Sequence, residues 1–261
     1  MIAYIESIGL QAPGLESWQA SQEVLQDKQP YQSEPLSKYS PKFLPANERR
    51  RTTDTIKLAL RTAEEAVENY SEEQISQMPT LFACVDGDTT ISAKMVEAVM
   101  EEEPMISPIH FHNSVHNAPA GYWMIGQHNQ QAASAISAGD YQIANTLIEA
   151  ITQLSNAHPK VLLVIYDLPI NPEIKKHSPE VQAFACALVL SLQPTADSIA
   201  EIELTLSDKI YKIDPVEAFP ENKAAEFLPV LKSIAKREAG EFHFPLSAKQ
   251  AISLNLTPSS Q

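Results

Sequence analysis

The run Tyr141-Gln142-Ile143-Ala144-Asn145-Thr146-Leu147-Ile148-Glu149-Ala150-Ile151-Thr152-Gln153-Leu154 is followed, after a short polar break, by Val161-Leu162-Leu163-Val164-Ile165-Tyr166. Two different hydrophobic periods stand side by side there. Ile143, Leu147, Ile148 and Ile151 recur at helical spacing, which predicts an amphipathic helix over residues 141–154. Residues 161–166 are unbroken apolar sequence of strand length, the pattern of a strand buried on both faces. Further strand-like runs lie at 184–192 and 202–206 downstream, and at 2–10, 81–85 and 130–136 upstream. Helical periodicity returns at 53–70, with Ile56, Leu60, Ala63 and Val67 on one face, and again at 92–102. Apolar runs interleaved with helices predict an α/β layered domain whose sheet is covered on both faces.

The connecting segments fill in the organisation. Pro13-Gly14 marks a turn, and a short amphipathic helix carrying Trp18, Val24 and Leu25 is expected after it. Residues 26–46 contain Pro30, Pro35, Pro41 and Pro45 and read as an extended surface excursion. Residues 105–126 read as a junction followed by a helix of small residues, Ala118, Ala120 and Gly121, suited to close contact with another backbone. From Pro215 a helix over 222–237 is expected, then alternation at Phe242, Phe244 and Leu246, then a polar end at 257–261. The expected division is a domain of residues 1–214, with residues 215–261 as a C-terminal helix and extended tail packing on it.

Composition narrows the class of function. With 261 residues, 44% of them hydrophobic and 20% charged, the chain is long enough to bury roughly 70% of its unfolded surface and is globular rather than disordered. The longest apolar runs fall far short of the roughly 20 residues of a membrane span, and Glu6 stands where a secretory apolar stretch would continue, so a cytoplasmic protein is expected. Nineteen Lys and Arg against 33 Asp and Glu give a net charge of −14, a field that repels nucleic acid and anionic membranes. Cys84 and Cys186 sit in apolar surroundings with no CxxC spacing and read as buried core thiols.

Seven glycines are few enough to inspect one by one. No G-x-G-x-x-G exists, and the pairs Gly9/Gly14 and Gly121/Gly126 are followed by Leu15-Glu16 and Gln127-His128 where a phosphate loop needs Lys-Ser/Thr. No G-x-S-x-G elbow is present either. His110-x-His112-x3-His116 has partial metal-ligand spacing, but the nearest upstream carboxylate is Glu103, beyond a proline. No metal and no cofactor are expected, and the segment reads as a hydrogen-bonded junction. Arg49-Arg50-Arg51 reads as a solvated helix start.

Several segments, in order, resemble the N-terminal half of β-ketoacyl synthases, the thiolase-fold condensing enzymes, and most closely the short ketosynthase-like chain length factors. Gly9-x3-Pro13-Gly14-x3-Trp18 is similar to the family's first strand and turn, and Leu44-Pro45-x3-Arg49-Arg50-Arg51-x2-Asp54 to the short subfamily's Arg-rich signature. Ser107-Pro108-x5-Ser114-Val115-His116-Asn117-Ala118-x-Ala120-Gly121 resembles the loop and helix at the family's dimer interface. The likeness runs from residue 1 to about Leu192 and leaves the tail uncovered. It implies a thiolase-like layered fold of a single N-terminal-type half, with a mixed sheet covered by helices on both faces.

Two departures from the family pattern bear on activity. Active members carry Ala-Cys-small-Ser-Gly, the cysteine being the acyl-carrying nucleophile; aligned on Gly139, this chain has Ala135-Ile136-Ser137-Ala138-Gly139. Ile136 at that position cannot form a thioester. The family's two histidines belong to a second half, in His-Gly and Gly-His contexts, and none of the seven histidines here has a glycine neighbour. The resemblance therefore implies a non-catalytic chain length factor that heterodimerises with a catalytic β-ketoacyl synthase and shapes its acyl tunnel, in an aryl polyene or polyketide-like pathway of bacteria. His110, Phe111 and Val115 are expected at the length gate. The partner interface is expected at Ser114, His116, Asn117, Ala118, Ala120, Gly121, Trp123, Met124, Gln131 and Ser134. Acyl carrier protein would be met only through the partner, since this chain is itself acidic. Two alternatives remain: a serine-dependent acyl-thioester hydrolase or decarboxylase using Ser137 or Ser134, and a free-standing acyl-binding scaffold.

Overall fold

A computed structural model describes residues 1–175 and 181–259. Eight strands form one sheet: β1 (Ile2–Gln11), β2 (Thr80–Ala83), β3 (Ala133–Ile136), β4 (Lys160–Asp167), β5 (Phe184–Ser191), β6 (Ala200–Ser207), β7 (Gly240–Pro245) and β8 (Ala251–Pro258). Nine helices accompany them among the described residues. They are α1 (Gln22–Leu25), α2 (Ala46–Arg49), α3 (Asp54–Ala66), α4 (Glu72–Ser76), α5 (Thr89–Met100), α6 (Pro108–Ser114), α7 (Ala118–Gly126), α8 (Gln142–Gln153) and α9 (Leu228–Lys236). The strand order is β3-β2-β4-β5-β1-β6-β8-β7. β3, β2 and β4 run parallel and every other neighbouring pair is antiparallel, so the sheet is mixed.

β4 shows why its sequence reads as continuous apolar. Val161, Leu163 and Ile165 point to one face, and Leu162, Val164 and Tyr166 to the other. The period of two delivers alternate side chains to two separate cores. On the first face lie Ile143, Leu147 and Ile151 of α8 with Leu228, Leu231 and Ile234 of α9. On the second lie Ile56, Leu60 and Ala63 of α3 with Ala118, Tyr122 and Trp123 of α7. The expected sheet covered on both faces is present.

Local chemistry sets the helix positions. The Thr53 side chain caps α3 by accepting from the Ile56 N–H. α3 then lies so close to β1 that a Cβ on Gly9 would come within 2.2 Å of the Thr62 carbonyl oxygen. Asp88 caps α5, which starts at Thr89 and stops at Met100, earlier at both ends than the expected 92–102. α4 escapes the hydrophobic pattern because it is one short turn; its signature is the reciprocal capping box of Ser71 and Gln74. The helix expected around Trp18 contracts to Gln22–Leu25, with Trp18 in a turn before it.

Beyond Pro215, the Ala224–Phe227 turn and α9 pack on the α8 face. β7 carries the alternation of Phe242 and Phe244. β8 was not anticipated: it pairs with β6 from Ala200↔Pro258 to Ser207↔Ala251, placing Ile252, Leu254 and Leu256 inward and Ser253 and Asn255 on the other side. The last two residues of the expected polar end lie outside the described residues. No helix among the described residues is long and apolar enough to cross a membrane.

Candidate functional site

The parallel strands β3, β2 and β4 end together, which gathers the turns after Ile136, Ala83 and Asp167 at one rim of the sheet. In open α/β sheets this rim is where function concentrates. Ile136 closes β3 as a half-buried residue packed against the α8-side core. The turn after it is fastened by Gln142, whose Oε1 accepts from the Ala138 N–H at 2.7 Å and whose Nε2 donates to the Ile136 carbonyl at 3.4 Å. Gly139 occupies the left-handed region at φ +55°, and α8 starts three residues later. Ser137 is exposed, and its hydroxyl donates to the Val85 carbonyl at 2.8 Å. Ser134 accepts a long bond of 3.4 Å from Gln153.

Behind this turn lies a group that the sequence reading missed. Asp167 is buried; one carboxylate oxygen accepts from the Val85 N–H at 2.8 Å and from the Cys84 thiol at 3.2 Å, and the other accepts from the Ala224 N–H at 3.1 Å. Burial pushes its pKa up to about 7 against the pull of those hydrogen bonds. The only sequence signal was an aspartate closing an otherwise apolar strand. Cys84 is buried as expected, and burial followed by the Asp167 charge raises its pKa well above the ordinary value, so it stays a neutral thiol. Cys186 is buried too, its pKa also raised by desolvation. His116 sits against the same turn, its Nε2 donating to the Cys84 carbonyl at 2.7 Å.

The other expected site residues lie on α6, α7 and the loops around them. Phe111 and Val115 are exposed and His110 is half-buried. Asn113 is buried and joins three segments: its Nδ2 donates to the Arg51 carbonyl at 2.7 Å, and its Oδ1 accepts from the Tyr122 hydroxyl at 3.1 Å. Ser114 donates to the Phe111 carbonyl at 2.9 Å, and Asn117 is exposed. His112 lies edge-on to Tyr122 at 5.7 Å rather than beside His110 and His116. Among the described residues, no three His, Cys, Asp or Glu side chains are placed to hold a metal ion. Arg50 and Arg51 are engaged locally with Asn47 and Glu48.

Of the residues expected at the partner interface, Ala118, Ala120 and Trp123 have their side chains buried in the chain's own core, Trp123 meeting Phe43 edge-on at 5.5 Å. Small residues on α7 serve its approach to α3 and the sheet. The outward side of α7 is Gly121, where a Cβ would meet nothing within 4 Å, together with Ile125; Met124 is half-buried. Gln131 is tied to Gln77 at 2.8 Å.

Residues 16–247 match the family described as β-ketoacyl synthase, N-terminal domain. Among solved structures, the chain is similar to a ketosynthase in complex with its chain length factor from Xenorhabdus doucetiae, at 22% identity and TM-score 0.70 over 98% of this chain and 99% of that one. The ishigamide ketosynthase/chain length factor aligns over 100% of both chains at 8% identity and TM-score 0.73. A type II polyketide acyl-carrier protein in complex with its hexaketide-bound ketosynthase aligns at 11% identity and TM-score 0.70, over 98% of this chain and 99% of that chain. No curated protein sequence matches. These likenesses establish the fold as thiolase-like, built from one N-terminal-type half with a mixed sheet.

Proposed function

The chain belongs to the β-ketoacyl synthase N-terminal domain family, and on that premise we propose that it is a non-catalytic chain length factor paired with a catalytic β-ketoacyl synthase. The observation that carries this reading is Ile136, the last residue of β3, at the position that the resemblance aligned on Gly139 gives to the family's nucleophile. An isoleucine offers no lone pair for thioester formation. Ser137 does not replace it, because its hydroxyl proton is held by the Val85 carbonyl, which is no general base.

A chain without a nucleophile acts through shape. β3 is the edge strand of the sheet, so one side of its backbone is unpaired, and Ile109, Phe111, Val115 and Ile125 are exposed near that end of the fold. Apolar side chains gathered on a surface are the mark of a partner site. The heterodimer partner covers this end, and His110, Phe111 and Val115 reach its acyl tunnel. Each methylene admitted or refused there is worth about 0.8 kcal/mol, so one bulky ring sets a length limit. The similar structures pair ketosynthases with chain length factors and with an acyl-carrier protein, in keeping with this assignment. A charge of −14 suits a subunit that leaves docking of the acidic carrier to its partner. The pathway is an aryl polyene or related polyketide-like one in the bacterial cytoplasm.

Co-expression with the synthase subunit tests the reading. The two chains are expected to co-purify, the isolated chain to leave carrier-bound acyl thioesters intact, and Phe111→Ala to lengthen the products of the intact complex. Turnover by the chain alone would refute it, and an unchanged product distribution would remove Phe111 from the gate.

A further inference from the structure

Helix α5 is amphipathic in an unusual sense. Only Ile91 and Ala93, in its first turns, are buried. Its second half stands off the core with Val96, Val99 and Met100 at i, i+3 and i+4, so that an apolar stripe faces solvent. Met100 is 81% exposed, Met105 in the loop after it 82%, and Phe111 on the adjoining α6 61%. Around this stripe acidic residues outnumber basic ones, Lys94 on the same helix being the basic residue whose charge acts on Glu97. Residues 95–107 contain Glu97, Glu101, Glu102 and Glu103 and no Lys or Arg. Glu173 comes up beside Glu97, and hydrogen bonding between the two carboxyl groups, with the charge of Glu173, raises the pKa of Glu97. Two carboxylates brought together on a surface mark a place where an external cation is favourable. Lys94, three residues before Glu97 on the helix, also lines a cleft with Arg50 and Arg51, and the stripe beyond it at Glu101, Glu102 and Glu103 carries no basic residue of its own.

We propose that this apolar stripe with its glutamate rim is a selectivity device: it takes a partner chain whose matching face is apolar at the centre and rich in Lys and Arg around it, and it rejects a second copy of this chain. The inference rests on the heterodimer reading above and adds to it the chemistry of the partner's face. A two-fold self-pairing places a patch against itself, so Glu101 to Glu103 of one copy would approach the same residues of the other. Apolar burial alone would favour that pairing as much as any other. Like-charge opposition removes the wrong partner, while opposite charge speeds encounter with the right one.

Sedimentation velocity of the purified full chain, beside the triple variant Glu101→Gln, Glu102→Gln, Glu103→Gln, decides the first half. The natural chain is expected to stay monomeric at low salt, and the variant to self-associate on the order of tenfold more tightly. Equal self-association of the two would overturn the proposal. The second half uses the synthase subunit that co-purifies. Its association rate is expected to fall on the order of tenfold from low to high salt, and to fall further when the same three glutamates become lysines. A rate indifferent to salt and to those changes also overturns it. Should no synthase co-purify, the heterodimer reading fails, and the self-association arm still judges the rim.

Discussion

Asp167 holds three strands' worth of structure through one carboxyl group. It ends β4, anchors the turn after β2 through Val85 and Cys84, and receives the Ala224 N–H from the tail. Burial raises its folded pKa to about 7 from an ordinary 3.8. Between those values the folded chain keeps a proton that the unfolded chain has released, so stability falls as pH rises through this window. The contribution is complete below pH about 4, is lost through about 7, and is of order 4 kcal/mol. Asp167→Asn cannot titrate. Chemical denaturation of both proteins from acid to slightly alkaline pH is therefore expected to show the natural chain losing ground to the variant as pH rises. The variant's own offset, from misplacing an amide among three donors, stays constant with pH. A natural chain that holds or gains ground on the variant as pH rises would show that Asp167 is ionised throughout.

Gly9 shows how one element fixes another. The 2.2 Å approach to the Thr62 carbonyl means that any side chain there pushes α3 off β1, and α3 is the main cover of its face. Gly9→Ala is expected to cost about 1–3 kcal/mol, read from the urea midpoint. An unchanged midpoint would mean that α3 shifts freely. Elements whose burial is regular were legible in the sequence: β4 from its unbroken apolar run, α3 and α8 from helical spacing. Elements held by other means were not. β8 alternates Ile252, Leu254 and Leu256 with Ser253 and Asn255, which blends into a polar terminus until β6 is seen beside it. On α7 the direction of the small residues is not legible, because such residues suit contact within a chain as well as contact between chains. Asp167 was illegible for a related reason: its partners come from residues 84, 85 and 224, which no local pattern joins.

For the molecule as a whole, the question is whether residues 215–261 decorate a finished domain or complete it. Without them β6 becomes an open edge, because all of its outer pairing is with β8. The α8 face loses Phe227, Leu228, Val230, Leu231 and Ile234, and the sheet loses Ile252, Leu254 and Leu256. Burial of the three β8 side chains alone contributes about 1.5–3 kcal/mol each, which is comparable to the roughly 5–15 kcal/mol that holds a whole domain together. Asp167 would also lose the Ala224 N–H and its cover. A chain ending at Asp214 is thus expected to lack a cooperative unfolding transition and to be cut rapidly by protease, because the open β6 edge and the stripped α8 face leave its core half built. A truncated chain that melts sharply near the natural temperature would show instead that the first 214 residues carry a complete core, and that the tail only shields a face already formed.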